Sequence, residues 1–156
     1  MMSQPKSISS TQDANELTIA QRSASAMLEH DYCTKAMGMT IVSVAKGQAT
    51  VEMTVTQAML NGHGSCHGGM LFVLADSAFA FACNSENQAA VASGCSIDYA
   101  RPVFEGERLT AIANVKSQGK VIGTYDVEIV NQDNKLVALF RGKAHRLGKK
   151  LVEENS

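Results

Sequence analysis

The sequence predicts an α+β fold in which a curved antiparallel β-sheet wraps around one long apolar helix. Three observations lead there. The stretch from His67 to Asn84, HGGMLFVLADSAFAFACN, is apolar all round a helical projection apart from Asp76 and Ser77, and a helix without a polar face belongs in a protein interior. Strand-like runs flank it, two before and four after, and three of them, Ala49 to Thr56, Leu109 to Lys116 and Val121 to Asn131, alternate apolar with polar residues. At 156 residues, 45% hydrophobic and 19% charged, the chain is long enough to bury a core without disulfides or a metal.

In chain order, residues 1–16 read as a polar tail, 17–148 as a single domain and 149–156 as a second tail. From about Glu16 to Ala36, Leu17, Ala20, Ala24, Met27 and Leu28 recur at helical spacing, and Gly38 suits the stop. Met39 to Val44 and Ala49 to Thr56 form a predicted hairpin around Lys46-Gly47-Gln48, with Val51, Met53 and Val55 alternating against polar neighbours. Beyond the central helix, Ala89 to Tyr99, Leu109 to Lys116, Val121 to Asn131 and Leu136 to His145 are expected as a four-strand antiparallel meander.

The N-terminus lacks the apolar core of a secretory signal, which points to a cytoplasmic address. The central helix is too short and too interrupted to span a bilayer, so no membrane is expected as a partner. Four irregularly spaced cysteines in such a setting read as free thiols. The net charge of −1 covers an asymmetry, with 4 Lys/Arg against 8 Asp/Glu in residues 1–100 and 10 against 7 in residues 101–156. That excess is too small for a nucleic-acid binder, yet a local basic patch can hold a small phosphorylated ligand.

The chemistry concentrates around the central helix. The run Asn61-Gly-His-Gly-Ser-Cys-His67-Gly68-Gly69 is a glycine-rich loop feeding a helix start. There the first N–H groups lack partners and carry partial positive charge, which favours an anion or a developing oxyanion. Gly68 and Gly69 let a ligand approach that backbone, and the run lacks the Gly-Lys-Ser/Thr ending of a P-loop. Asp76 stands alone among apolar residues, where a carboxylate is costly or has its pKa raised. A carboxylate in a water-poor site suits general-base or nucleophilic chemistry on an acyl group; a cap or an ion pair, within the chain or across a subunit contact, is the structural alternative. His63, Cys66, His67 and Asp76 match no familiar zinc spacing, and Ser65, Ser93 and Ser96 lack a G-x-S-x-G setting.

Gly68 and Asp76 are eight residues apart, about 12 Å along a helix axis. A reacting carbonyl must sit about 3 Å from both the oxyanion donor and the attacking group. One helix cannot supply both. Two copies with antiparallel helices about a two-fold axis can, which predicts an obligate homodimer with shared active sites.

The runs N-G-H-x-S-C-H-G-G and L-A-D-S-A-F-A-F-A-C-N-S, followed by I-D-Y-x-R-P and G-K-x-H-R, resemble the phenylacetate-degradation thioesterases of PaaI type, within the hotdog-fold superfamily. The resemblance spans residues 24–148. It implies a sheet wrapped around the helix, dimers paired sheet edge to sheet edge, and a homotetramer. By position it implies Asp76 as the catalytic carboxylate, the Gly68 N–H as the group polarising the thioester carbonyl, Asn61 holding water or substrate, and His67 as an accessory. Some relatives place a hydroxyl on the strand after the helix, where this chain has Ala92 with Ser93 beside it. The implied activity is hydrolysis of aryl-acetyl-CoA thioesters such as phenylacetyl-CoA, with no metal or organic cofactor. Arg101, Lys116, Lys120, Arg141 and Lys143 are candidates, on charge alone, to meet the CoA phosphates. A hotdog-fold hydratase or dehydratase, which wants a His and an acid together on the central helix, and a non-catalytic acyl-CoA-binding protein are the alternatives.

Overall fold

The central helix, α3 (Gly68–Cys83), sits between two side-chain caps. His67 Nδ1 accepts the Gly69 N–H at 3.0 Å at one end, and Asn84 Nδ2 donates to the Ala80 carbonyl at 2.9 Å at the other. Leu71, Leu74, Ala75, Ala78, Phe79, Phe81 and Ala82 are buried along it, and the alanines let the helix lie close to the sheet. Phe79 meets Tyr125 and Phe140 with ring centroids 5.7 and 5.8 Å apart. Gly142 makes that possible: a Cβ there would lie 2.8 Å from the Phe79 ring.

The computed structural model describes residues 10–154, with side chains from residue 19 onward; the first nine residues of the expected tail and the last two of the chain lie outside the described residues. The sheet comprises β1 (Thr40–Ala45), β2 (Gln48–Thr54), β3 (Ala90–Tyr99), β4 (Arg108–Gln118), β5 (Ile122–Val130) and β6 (Leu136–Arg146). All pairs are antiparallel, in the spatial order β1-β2-β4-β5-β6-β3. Ala49, Val51 and Met53 of β2, Leu109, Ala111 and Ala113 of β4, Tyr125, Val127 and Ile129 of β5, and Ala138, Phe140 and Ala144 of β6 form the buried, helix-facing layer.

The strand order corrects the expected four-strand meander. Only β4-β5-β6 follow one another in space; β3 lies at the far rim against β6. The chain crosses the sheet with α3, lays down β3, and returns through residues 100–107 to β2, where Val55 and Gly106 N–H donate to the carbonyls of Glu107 and Val55 at 2.9 and 2.8 Å. Period-two alternation identifies a strand but not its neighbour. β3 is consequently a ten-residue edge strand, exposed along most of its length, with Val91 and Tyr99 each about half open to solvent.

The predicted helix over 16–36 is in fact two. α1 (Ser10–Glu29) starts earlier than Glu16, inside the expected tail, and α2 (Tyr32–Ala36) is separate. Asp31 makes the break, because its carboxylate caps α2 by accepting the Thr34 N–H at 3.0 Å. Ala20 and Ala24 are buried as their spacing requires, and the Leu17 side chain lies outside the described ones. At the other terminus, residues 149–154 are clasped rather than trailing. Buried Asn87 accepts the N–H groups of Leu151 and Val152, both at 2.9 Å, and donates to the Val152 carbonyl at 2.9 Å. Among the described residues no helix is long and apolar enough to cross a membrane.

Candidate active site

The loop ahead of α3 is organised by Asn61. Its Oδ1 accepts the N–H groups of His63 and Ser65 at 2.9 and 3.2 Å, and its Nδ2 donates to Ser65 Oγ at 3.2 Å. Two backbone bonds then set the helix entry, with the Cys66 N–H donating to Val103 O at 2.8 Å and the His67 N–H to Met59 O at 2.7 Å. Since Nδ1 of His67 is an acceptor, its ring proton sits on Nε2.

The two glycines differ in what they can offer. The Gly69 N–H is committed to His67, whereas the Gly68 N–H has no acceptor among the described residues. Gly68 is therefore the available donor at the positive end of the helix. Tyr99 sits over it, donating from its hydroxyl to the Gly68 carbonyl at 2.8 Å.

Asp76 lies two turns further on, half-buried, with no hydrogen bond or ion pair among the described residues. Within the chain, the capping or salt-bridge alternative therefore has no partner for it. Burial pushes its carboxyl pKa up, and the nearby negative charge of Asp31 pushes it further in the same direction. Its field reaches Cys83, two turns along α3, whose thiol is pushed up to about 12 mainly by burial, and also Cys95 on β3.

Asp31 is a site neighbour that sequence patterning does not reveal. Its carboxylate accepts the Thr34 hydroxyl at 2.6 Å, and Thr34 Oγ1 lies 3.1 Å from the hydroxyl of Ser77, next in sequence to Asp76. Thr34 is buried, so α2 is docked against the middle of α3.

The profile of the Thioesterase superfamily matches residues 63–138. The chain is 60% identical over 135 residues to the acyl-coenzyme A thioesterase PaaI of Escherichia coli strain K12, covering 86% of this chain and 96% of that protein. The chain belongs to the PaaI-type hotdog thioesterases. Two solved structures agree with this. The E. coli PaaI structure aligns with a TM-score of 0.84 over 86% of this chain and 97% of that one. A mutant of the phenylacetic acid degradation protein PaaI from Thermus thermophilus, 43% identical, aligns with a TM-score of 0.71 over 74% and 98%. The protein is accordingly an enzyme, a thioester hydrolase.

This PaaI-type thioesterase does not gather its basic side chains in one patch. Arg101, whose Nε donates to the Leu136 carbonyl at 3.1 Å, lines a cavity of about 390 Å³ at the start of α3 together with Cys66, Gly68, Leu71 and Tyr99. Lys116 and Arg141 line a cavity of about 400 Å³ on the outer face of the sheet, where Arg141 is held by both oxygens of Asp126 at 2.6 and 2.9 Å. Lys143 borders a third hollow with Arg141, Ser96 and Cys95, and Lys120 lies in the β4–β5 turn. The outer cavity, though slightly larger, lies across the sheet from Asp76; the hollow beside Gly68 is the one next to the helix-start donor. Ser93 is the extra residue of a β-bulge, since Ala92 pairs with Ala144 and Gly94 with Lys143. Its hydroxyl donates to Lys143 O at 3.2 Å, and Ala92 holds the register position that faces the helix.

Proposed function

We propose that this enzyme hydrolyses acyl-CoA thioesters of the aryl-acetyl class, such as phenylacetyl-CoA, with Asp76 as general base. The observation that carries the reading is a carboxylate without a partner among the described residues, half-buried midway along a largely apolar helix. The names of the relatives support the substrate class, since the E. coli protein is an acyl-coenzyme A thioesterase and its solved structure is described as coming from the phenylacetic acid degradation operon.

In this mechanism Asp76 takes a proton from water as the oxygen attacks the thioester carbonyl. The carbonyl oxygen becomes an oxyanion and is met by the Gly68 N–H. The tetrahedral intermediate collapses, the C–S bond breaks, and the CoA thiolate leaves with the proton returned from Asp76. A raised pKa strengthens Asp76 as a base near neutral pH. Gly68 and Asp76 lie on one helix, eight residues apart, so the donor for each carboxylate comes from a second copy. β3 supplies the joint: its run AVASGCSIDY carries one charged residue, Asp98, and an unprotected edge of that length favours pairing with an identical strand. The assembly is a homodimer with two shared sites, doubled into a homotetramer. Asn61 and His67 hold the loop that brings substrate to Gly68, and Arg101 is placed to meet the CoA moiety there. α3 carries no histidine beyond its cap, which favours hydrolysis over hydration.

Thiol release measured across acetyl-, phenylacetyl-, hydroxyphenylacetyl- and long-chain acyl-CoA is expected to give the highest kcat/KM with the aryl-acetyl substrates. Absence of thiol release from all of them, or hydration of an enoyl-CoA instead, refutes the proposal. A pH profile tests the environment of the base. Among the described residues the titratable groups that share an electrostatic interaction with Asp76 are Asp31, which caps α2, Cys83 from α3 and Cys95 from β3. Asp31→Asn keeps the α2 cap, because asparagine caps as well as aspartate, but removes the like charge. The Asp76 pKa then falls and the acid limb of kcat/KM moves to lower pH. An unmoved or upward-shifted limb contradicts the assignment of Asp76 as the titrating base.

A further inference from the structure

We infer that Tyr99 is a positioning residue for the oxyanion donor, its hydroxyl and ring together fixing the first residue of α3; the inference rests on Gly68 being that donor. The first residue of a helix is held weakly, because its N–H has no intrahelical partner and helix ends fray. Glycine there has the widest backbone freedom of any residue. A donor must nevertheless be aimed to within about 0.5 Å to serve a transition state.

Tyr99 supplies the constraint through two contacts. Its hydroxyl donates to the Gly68 carbonyl at 2.8 Å. Its ring fills the space that a side chain at position 68 would take, since a Cβ there would lie 2.9 Å from both Cζ and the hydroxyl oxygen of Tyr99. Gly68 does not have a positive φ, so the backbone does not demand glycine. The close approach of the tyrosine does. Gly68 and Tyr99 form one unit.

Tyr99 is itself well anchored. It pairs with Ala138 in the sheet, and the N–H groups of the next two residues, Ala100 and Arg101, both donate to Val137 O at 2.8 and 3.4 Å, just ahead of Pro102. Its side chain is 52% exposed, so the ring is not there to fill the core. Because Tyr99 ends the edge strand along which a second copy pairs, the strand that joins the subunits also sets the donor that each subunit offers its partner.

The test uses the full-length protein and thiol release from phenylacetyl-CoA, with assembly mass and melting temperature recorded for each variant. Tyr99→Phe keeps the ring and loses the hydroxyl; it is expected to lower kcat about tenfold while KM stays within about twofold, the signature of an interaction that acts in the transition state. Tyr99→Leu loses both contacts and lowers kcat further. Gly68→Ala, whose Cβ displaces the ring, also lowers kcat, and Gly68→Ala combined with Tyr99→Leu falls by less than the product of the two single losses, because one unit has been broken twice. Wild-type kcat in Tyr99→Phe and Tyr99→Leu, with activity lost in Gly68→Pro, overturns the role of Tyr99 alone. Wild-type kcat in Gly68→Pro, which deletes the N–H, overturns the role of Gly68 and this inference with it.

Discussion

Replacing Asp76 by Asn is expected to lower turnover of phenylacetyl-CoA by about 10³-fold, equivalent to about 4 kcal/mol of activation barrier, without loss of fold. Asparagine has the same shape but takes no proton from water. No hydrogen bond or ion pair of Asp76 is lost among the described residues. Stability is expected to move the other way. Burial and the charge of Asp31 raise the Asp76 pKa in the folded state, so the unfolded chain binds fewer protons than the folded one between the two pKa values. Stability conferred by the neutral acid is complete below the unfolded pKa and is lost as pH rises through the folded one. Asp76→Asn lacks that loss, and its melting temperature at neutral pH is expected to equal or exceed that of the wild type. Steady-state thiol release and a thermal melt check both halves. Near-normal hydrolysis by the variant removes Asp76 from the mechanism.

Co-expressing Asp76→Asn with Gly68→Pro is expected to restore about a quarter of wild-type activity, although each variant alone is nearly inactive. With random pairing about half of the dimers are mixed, and each mixed dimer has one site with both defects and one with neither. Proline is tolerated at the first position of a helix and deletes the N–H in question. The extended backbone of His67, at φ −59 and ψ 133, accepts a following proline, and Gly68→Ala serves as the control that adds bulk while keeping the N–H. Differently tagged copies purified in tandem isolate the mixed species. If those mixed dimers show no activity, each site is built from a single chain and the shared arrangement is wrong.

The fold was legible where a local pattern decides it. The apolar run fixed α3 to within a residue at either end, and alternation located β2, β4 and β5, while β1, β3 and β6 were read from strand-like composition between turns. Long-range proximity was not legible. The placement of β3 beside β6 depends on where α3 carries the chain, and no residue of β3 encodes its neighbour. Asp31 reads as one more polar residue in a helix until its own capping bond breaks that helix and turns α2 against Ser77. The opposite error concerns charge: Arg101, Lys116, Lys120, Arg141 and Lys143 look like one basic half of the chain, but only Lys116, Arg141 and Lys143 share the outer face of the sheet, Arg101 lies at the start of α3, Lys120 lies in a turn, and Arg141 is committed to Asp126. Ser93 shows the finest limit, because the bulge that leaves it without a register partner on β6 has no signature in the local sequence.

The two rims of the sheet are unequal. β1 is six residues long, kinked by a bulge between Ile41 and Ser43, and has α1 packed against it, whereas β3 runs ten residues in the open. A building block with one adhesive margin makes a couple and stops; one with two makes a fibre. If copies pair along β3 as proposed, that imbalance gives each chain one strand to share, and removing α1, which packs against β1, is expected to promote association beyond that pair.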